Sequence, residues 1–93
     1  MNIDDRWQLH PQVALRPEPF GALLYHFGTR KLSFLKNTAI VDIVRSLPDH
    51  DDARSALTAA GVSDEVLPRY ADALAVLARS NMIVPSPGKE DPV

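Results

Sequence analysis

Cysteine is missing from this chain of 93 residues. Its absence excludes disulfide staples, thiolate nucleophiles, cysteine-bound zinc and iron–sulfur ligation. Glycine is scarce as well. The four glycines, Gly21, Gly28, Gly61 and Gly88, are each accounted for by a turn, a helix end or the tail, which leaves no glycine-rich phosphate loop. No apolar run approaches the roughly 18 residues of a membrane span, and MNIDDRWQLH lacks the basic and apolar regions of a signal peptide. There is no basic excess either. Ten Lys and Arg against twelve Asp and Glu give a net charge of −2, which argues against non-specific affinity for nucleic acid or anionic membrane. These absences describe a soluble, cytoplasmic protein.

What is present suffices for one small core. A hydrophobic content of 45% with 24% charged residues describes a single globular domain rather than a disordered chain. Domains near this size bury roughly two-thirds of their unfolded surface, enough to fold without staples.

The stretch around which the chain is organised is Gly21 to Lys36, GALLYHFGTRKLSFLK, read as a β-hairpin. Gly28-Thr29 suits a two-residue type II′ turn, because type I′ would force the β-branched threonine to positive φ. That turn pairs Phe27 with Arg30, His26 with Lys31, Tyr25 with Leu32, Leu24 with Ser33 and Leu23 with Phe34. Leu23, Tyr25, Leu32 and Phe34 then share a face expected to be buried. Leu24, His26, Lys31 and Ser33 share the half-polar one.

Before the hairpin, residues 1–10 read as a flexible arm that is ordered where the Trp7 indole finds a crevice or a ligand. Gln12 to Arg16 alternates weakly between prolines and reads as a short edge strand. In a three-strand meander, the strand Arg30–Leu35 is the opposite edge, and no proline blunts it. Its guards are Arg30, Lys31 and Lys36, charges that discourage self-pairing and would draw in an acidic extended peptide.

At Asn37 the apolar period lengthens to that of a helix. Ile40, Ile43, Val44 and Leu47 mark one face, Asn37 or Thr38 is the N-cap, and Pro48 is the stop. Asp49, His50, Asp51 and Asp52 superficially suggest a metal site, but consecutive residues in a turn rarely converge on one ion. They read better as the cap and acidic first turn of a second helix, Asp52 to Ala60, closed by Gly61. Ser63 is expected to cap a third helical segment with Pro68 near its start. From Leu67 to Leu77 its apolar arc spans roughly 200°, about twice what a surface helix needs to sit on one core. Part of that arc is available to line a groove. Met82 to Val84 read as a short extended segment, and residues 85–93 as a disordered tail; the domain proper is 11–84.

No catalytic constellation emerges. His10, His26 and His50 fall in an arm, a strand and a loop, and none is tied to a nucleophile by a motif. A polypeptide-binding module is the expectation, with an extended ligand added to the open edge and its alternate side chains entering the groove beside the last helix. Neither a cofactor nor a metal is called for.

Three strands followed by three helices, with the segment FGALLYHFGTRKLSFLKNTAIVDIVRSL, resemble the PqqD-like family, the recognition elements of ribosomally made, post-translationally modified peptides. The resemblance covers about Phe20 to Val84 and is strongest toward the peptide chaperones of mycofactocin systems. A Leu-Asn joint and an Asp-Gly pair common in the family are here interrupted by Lys36 and replaced by Pro48-Asp49. The resemblance implies an α+β, winged-helix-like fold (βββααα) without catalysis. It implies too that a precursor peptide's leader pairs antiparallel with the third strand, packs on the last helix and is presented to a radical S-adenosylmethionine maturase. For the mycofactocin system that maturase acts on the precursor's C-terminal Val-Tyr. By position, Arg30, Lys31, Leu32, Ser33, Phe34 and Leu35 would supply the edge, and Tyr70, Ala73, Leu74 and Leu77 the groove.

Two other readings share this layout. A winged-helix DNA binder would need a basic recognition helix, but the third helix offers Arg69 and Arg79 interrupted by Asp72. An oligomerisation module would pair two open edges across a two-fold axis.

Overall fold

The computed structural model describes residues 1–86. Its strands are β1 (Trp7–Leu9), β2 (Val13–Glu18), β3 (Gly21–His26), β4 (Leu32–Leu35) and β5 (Ile83–Pro85). Its helices are α1 (Thr38–Ser46), α2 (Ala53–Ala59) and α3 (Leu67–Arg79). The class is α+β: β2, β3 and β4 form an antiparallel sheet in that order, and three helices follow. A second, two-stranded sheet joins β1 to β5, a pairing that the sequence reading lacks.

That second sheet ties the two ends of the described chain together. The Trp7 side chain is buried, its indole N–H donates to the Asn2 carbonyl at 2.9 Å, and Trp7 lies opposite Pro85. Further upstream, the carbonyls of Ile3 and Asp5 accept from the amides of Arg54 and Ala53 at 2.9 and 3.0 Å, satisfying donors that the start of α2 leaves free. The segment expected as an arm therefore includes a strand and an anchor. Pro85, expected in the tail, closes β5, while residues 87–93 of that tail lie outside the described residues.

The hairpin keeps its expected register, with Tyr25 opposite Leu32, Leu24 opposite Ser33 and Leu23 opposite Phe34. Its turn and its buried face both differ from expectation. The His26 amide bonds the Lys31 carbonyl at 3.0 Å, and the Arg30 amide reaches back to the His26 carbonyl at 2.7 Å, so four residues make the connection. The positive φ, 64°, falls on Arg30 and not on Gly28, which rules out type II′. The cause is the His26 ring, whose Nδ1 accepts from the amides of Gly28 and Thr29 at 3.0 and 3.1 Å and organises the loop from inside. A Cβ at position 28 would stand 2.9 Å from that ring, so glycine is needed there for close approach.

As for the faces, Ala22, Leu24, His26 and Leu35 point into the core, whereas Leu32 and Phe34 are more than half exposed. Leu23 and Tyr25 are half-buried on that same outward face. Alternation separates the two sets of side chains, but where the helices pack decides which set is covered. Here α1 lies on the even-numbered side of β3, and Ile40, Val41, Ile43, Val44 and Leu47 join Leu24 and Leu35 in one core. Among the described residues His26 is the one buried polar side chain; its ring lies 4.4 Å from that of His10.

The helices start and stop for local reasons. Asn37 caps α1, its Oδ1 accepting from the amides of Ala39 and Ile40 at 2.7 and 3.2 Å, and Pro48 sits in a single 3-10 turn, Leu47–Asp49, that ends it. Asp52 caps α2 by accepting from the Ser55 amide at 2.7 Å. Hydrogen bonds from the side chain and amide of Ser55 hold the Asp52 carboxyl below its ordinary range. Ser63 does not cap α3 through its side chain. Its carbonyl accepts from Val66 and Leu67, forming a turn after which α3 begins with Pro68 in its first turn, where a missing amide donor costs nothing.

Candidate functional site

The sheet ends at β4, which pairs with β3 on one side and, among the described residues, with no strand on the other. The ladder's alternation decides which backbone groups face outward. The bond from the His26 amide to the Lys31 carbonyl makes that pair hydrogen-bonded, so Leu24–Ser33 and Ala22–Leu35 are hydrogen-bonded in turn. The amides of Ser33 and Leu35 therefore point into the sheet. Those of Leu32 and Phe34, with their carbonyls, point out along the open edge.

Beside that edge runs a groove of about 660 Å³, walled by Leu32 to Leu35 on one side and by α3 on the other, with Ile40 of α1 between them. The α3 wall is made by Arg69, Tyr70, Ala73, Val76 and Leu77, which recur at helical spacing along one stripe. The over-wide apolar arc of α3 is thereby divided. Leu74 and Leu77 are buried in the core, while Val76, 52% exposed, and Ala73 face outward with nothing among the described residues covering them. The lining is mostly apolar, as in sites that take side chains from a ligand. Phe34 is shared with a second apolar depression, where its ring lies 6.1 Å from that of Phe20.

Seven of the ten residues singled out in the sequence meet at this groove: Leu32, Ser33, Phe34, Leu35, Tyr70, Ala73 and Leu77. Arg30 and Lys31 stand in the loop that leads into β4, exposed and outside the groove wall. Leu74 is fully buried and backs the wall from behind. The groove also takes in Lys36, Asn37, Ile40, Arg69 and Val76, which are not among those ten, although Lys36 stands out in the sequence as a charge guarding the edge. Val76 was legible as an apolar residue outside the Leu74–Leu77 stripe. Ile40 was not, since core packing already accounts for an isoleucine at the first position of an amphipathic helix.

The polar side chains lining the groove are Ser33, Lys36, Asn37, Arg69 and Tyr70. No Asp, Glu, His or Cys lines it, and no three such residues cluster in metal-binding geometry among the described residues. What it offers is an unpaired strand edge and an apolar trough.

A model of the peptide chaperone MftB family matches residues 6–84. The chain belongs to the peptide chaperone MftB family. Peptide chaperone MftB of Mycolicibacterium smegmatis is 68% identical over 82 residues, spanning 88% of this chain and 80% of its own. The proteins of the same name from Mycobacterium ulcerans and Mycobacterium tuberculosis are 67% and 65% identical, each over 88% of this chain and 75% of theirs. The family match begins just before β1 and ends within β5, so it takes in the second sheet as well as the groove. Among solved structures, Escherichia coli MccB with succinimide matches 85% of this chain with a TM-score of 0.58 at 16% identity. This chain spans 23% of that one, and the likeness is one of fold. No helix among the described residues is long and apolar enough to cross a membrane.

Proposed function

We propose that the protein is a non-catalytic peptide chaperone of mycofactocin biosynthesis. It binds the leader of the ribosomally made precursor by strand addition and presents the precursor to a radical S-adenosylmethionine maturase. The observation that carries this reading is the open β4 edge lying directly beside the apolar β4–α3 groove. Membership of a family of peptide chaperones supports it.

The leader lies extended along β4. Its backbone groups exchange hydrogen bonds with those of Leu32 and Phe34, each worth about 0.5–1.5 kcal/mol net. Because side chains alternate, every second leader residue enters the trough between Phe34, Tyr70, Ala73 and Val76, and its fit there supplies selectivity. Arg30 and Lys31 stand at the approach to the edge and assist encounter. Leu74 holds the α3 wall in place.

Chemistry on the precursor belongs to the maturase, as does the iron–sulfur cofactor that such chemistry uses. The chaperone works in the cytoplasm, where iron–sulfur clusters find reducing conditions, and neither nucleic acid nor membrane is its partner. The slightly acidic chain and the single arginine on the groove side of α3 support this.

An isotope-labelled amide spectrum titrated with the leader peptide tests the reading. Saturable shifts should concentrate in residues 30–36 and 69–77. Shifts confined to the β2 edge or to the β1–β5 sheet would move the site elsewhere.

A further inference from the structure

We infer that the ligand segment held in the β4–α3 groove carries carboxylates, recognised by Lys36 and Arg69. The inference rests on the peptide reading above and specifies the chemistry of what is bound. The groove lining includes these two cations, while no carboxylate among the described residues lines it. That imbalance runs against the chain as a whole, in which acids outnumber bases.

Three arginines elsewhere in the chain are engaged: Arg16 pairs with Glu18 at 3.0 Å, Arg54 with Asp4 at 2.8 Å, and the Arg6 guanidinium donates to the Pro48 carbonyl. Neither Lys36 nor Arg69 is within ion-pair distance of a described carboxylate in this way, and both are exposed. The loop ahead of the edge adds Arg30 and Lys31, and no acidic residue occurs from position 19 to position 41. Asn37 and Ile40 place the N-terminal end of α1 on the groove too, which contributes partial positive charge. A ligand with acidic residues flanking its apolar anchors meets a complementary field. A basic one would meet like charge on both walls.

Titration calorimetry with three synthetic forms of the mycofactocin precursor leader tests the proposal. One is native, one has every Asp and Glu replaced by Asn and Gln, and one has them replaced by Lys. At an ionic strength of about 0.02 M the amide form should bind roughly tenfold or more weakly than the native form. The gap should close toward 1 M salt, where the screening length is about 3 Å. In the exposed double variant Lys36→Glu/Arg69→Glu, the preference should invert, with the lysine form bound more tightly than the native one. Equal binding of the native and amide forms would overturn the carboxylate inference and leave the peptide reading standing. A preference for the native form that survives the double variant would overturn the assignment to Lys36 and Arg69. If none of the three forms bound, the peptide reading would fall and this inference with it.

Discussion

Proline scanning of β4 separates the edge that holds the fold from the edge proposed to take the leader. In the ladder, Ser33 donates toward β3 opposite the fully buried Leu24, whereas Leu32 donates outward. Ser33→Pro removes an internal donor, leaves a buried carbonyl unpaired and sets a ring against the neighbouring strand. The cost is about 2–3 kcal/mol, which for a domain of this size lowers the Tm by roughly 10–20 °C. Leu32→Pro removes a donor with no partner among the described residues, at the first position of a strand, where proline is tolerated. Its stability should stay within about 1 kcal/mol of a Leu32→Ala control, which matches the loss of the side chain. Relative to that control, leader binding should weaken about two- to twelvefold, the equivalent of one net hydrogen bond. Urea unfolding followed by circular dichroism reads the first quantity and titration calorimetry the second. Equal stability of the two proline variants would refute the assigned alternation. Unchanged affinity in folded Leu32→Pro would refute strand addition at β4.

Three further changes probe the frame around the groove. Asn37→Ala deletes both capping bonds of α1 and should cost about 1 kcal/mol, read as a lowered urea midpoint with an unchanged slope. Gly21→Ala should cost more than any surface substitution. The new Cβ would meet the Leu35 carbonyl oxygen, at a φ of 152° where side chains are rarely found, so thermal unfolding should show a loss of several degrees or no folded protein. Asp52 has a folded-state pKa below its ordinary 3.8, so its cap stabilises fully above about pH 4 and loses that contribution as pH falls through the lowered value. The stability gap between wild type and Asp52→Asn should therefore narrow below pH 4; a gap independent of pH would show that the charge of the cap is irrelevant.

Much of this architecture was legible locally. Helix caps at Asn37 and Asp52, the stop at Pro48 and the pairing register of β3 with β4 depend on residues a few positions apart. Short-range sterics and hydrogen bonding decide such features. The turn is different. A glycine in the loop signals a tight turn, but the buried His26 ring bonds two loop amides and shifts the positive φ to Arg30. The sequence marks His26 only as an ordinary polar residue on a strand, since nothing local predicts that the His10 ring will pack against it, tilted by 45°.

The sequence by itself determined which side chains share a face, where the helices begin and that one strand edge lacks proline. Those properties follow from periods of 2 and 3.6 and from the chemistry of single residues. Only the tertiary structure decided which face of the hairpin is buried, because a sheet with apolar side chains on both faces is covered wherever the helices land. It also closed β1 onto β5, a pairing between opposite ends of the described chain that three-residue strands are too short to announce. The groove is of the same kind: β4 and α3 are separated by two helices in sequence, and their free edge and spare apolar stripe become one trough only when α1 sets the distance between them.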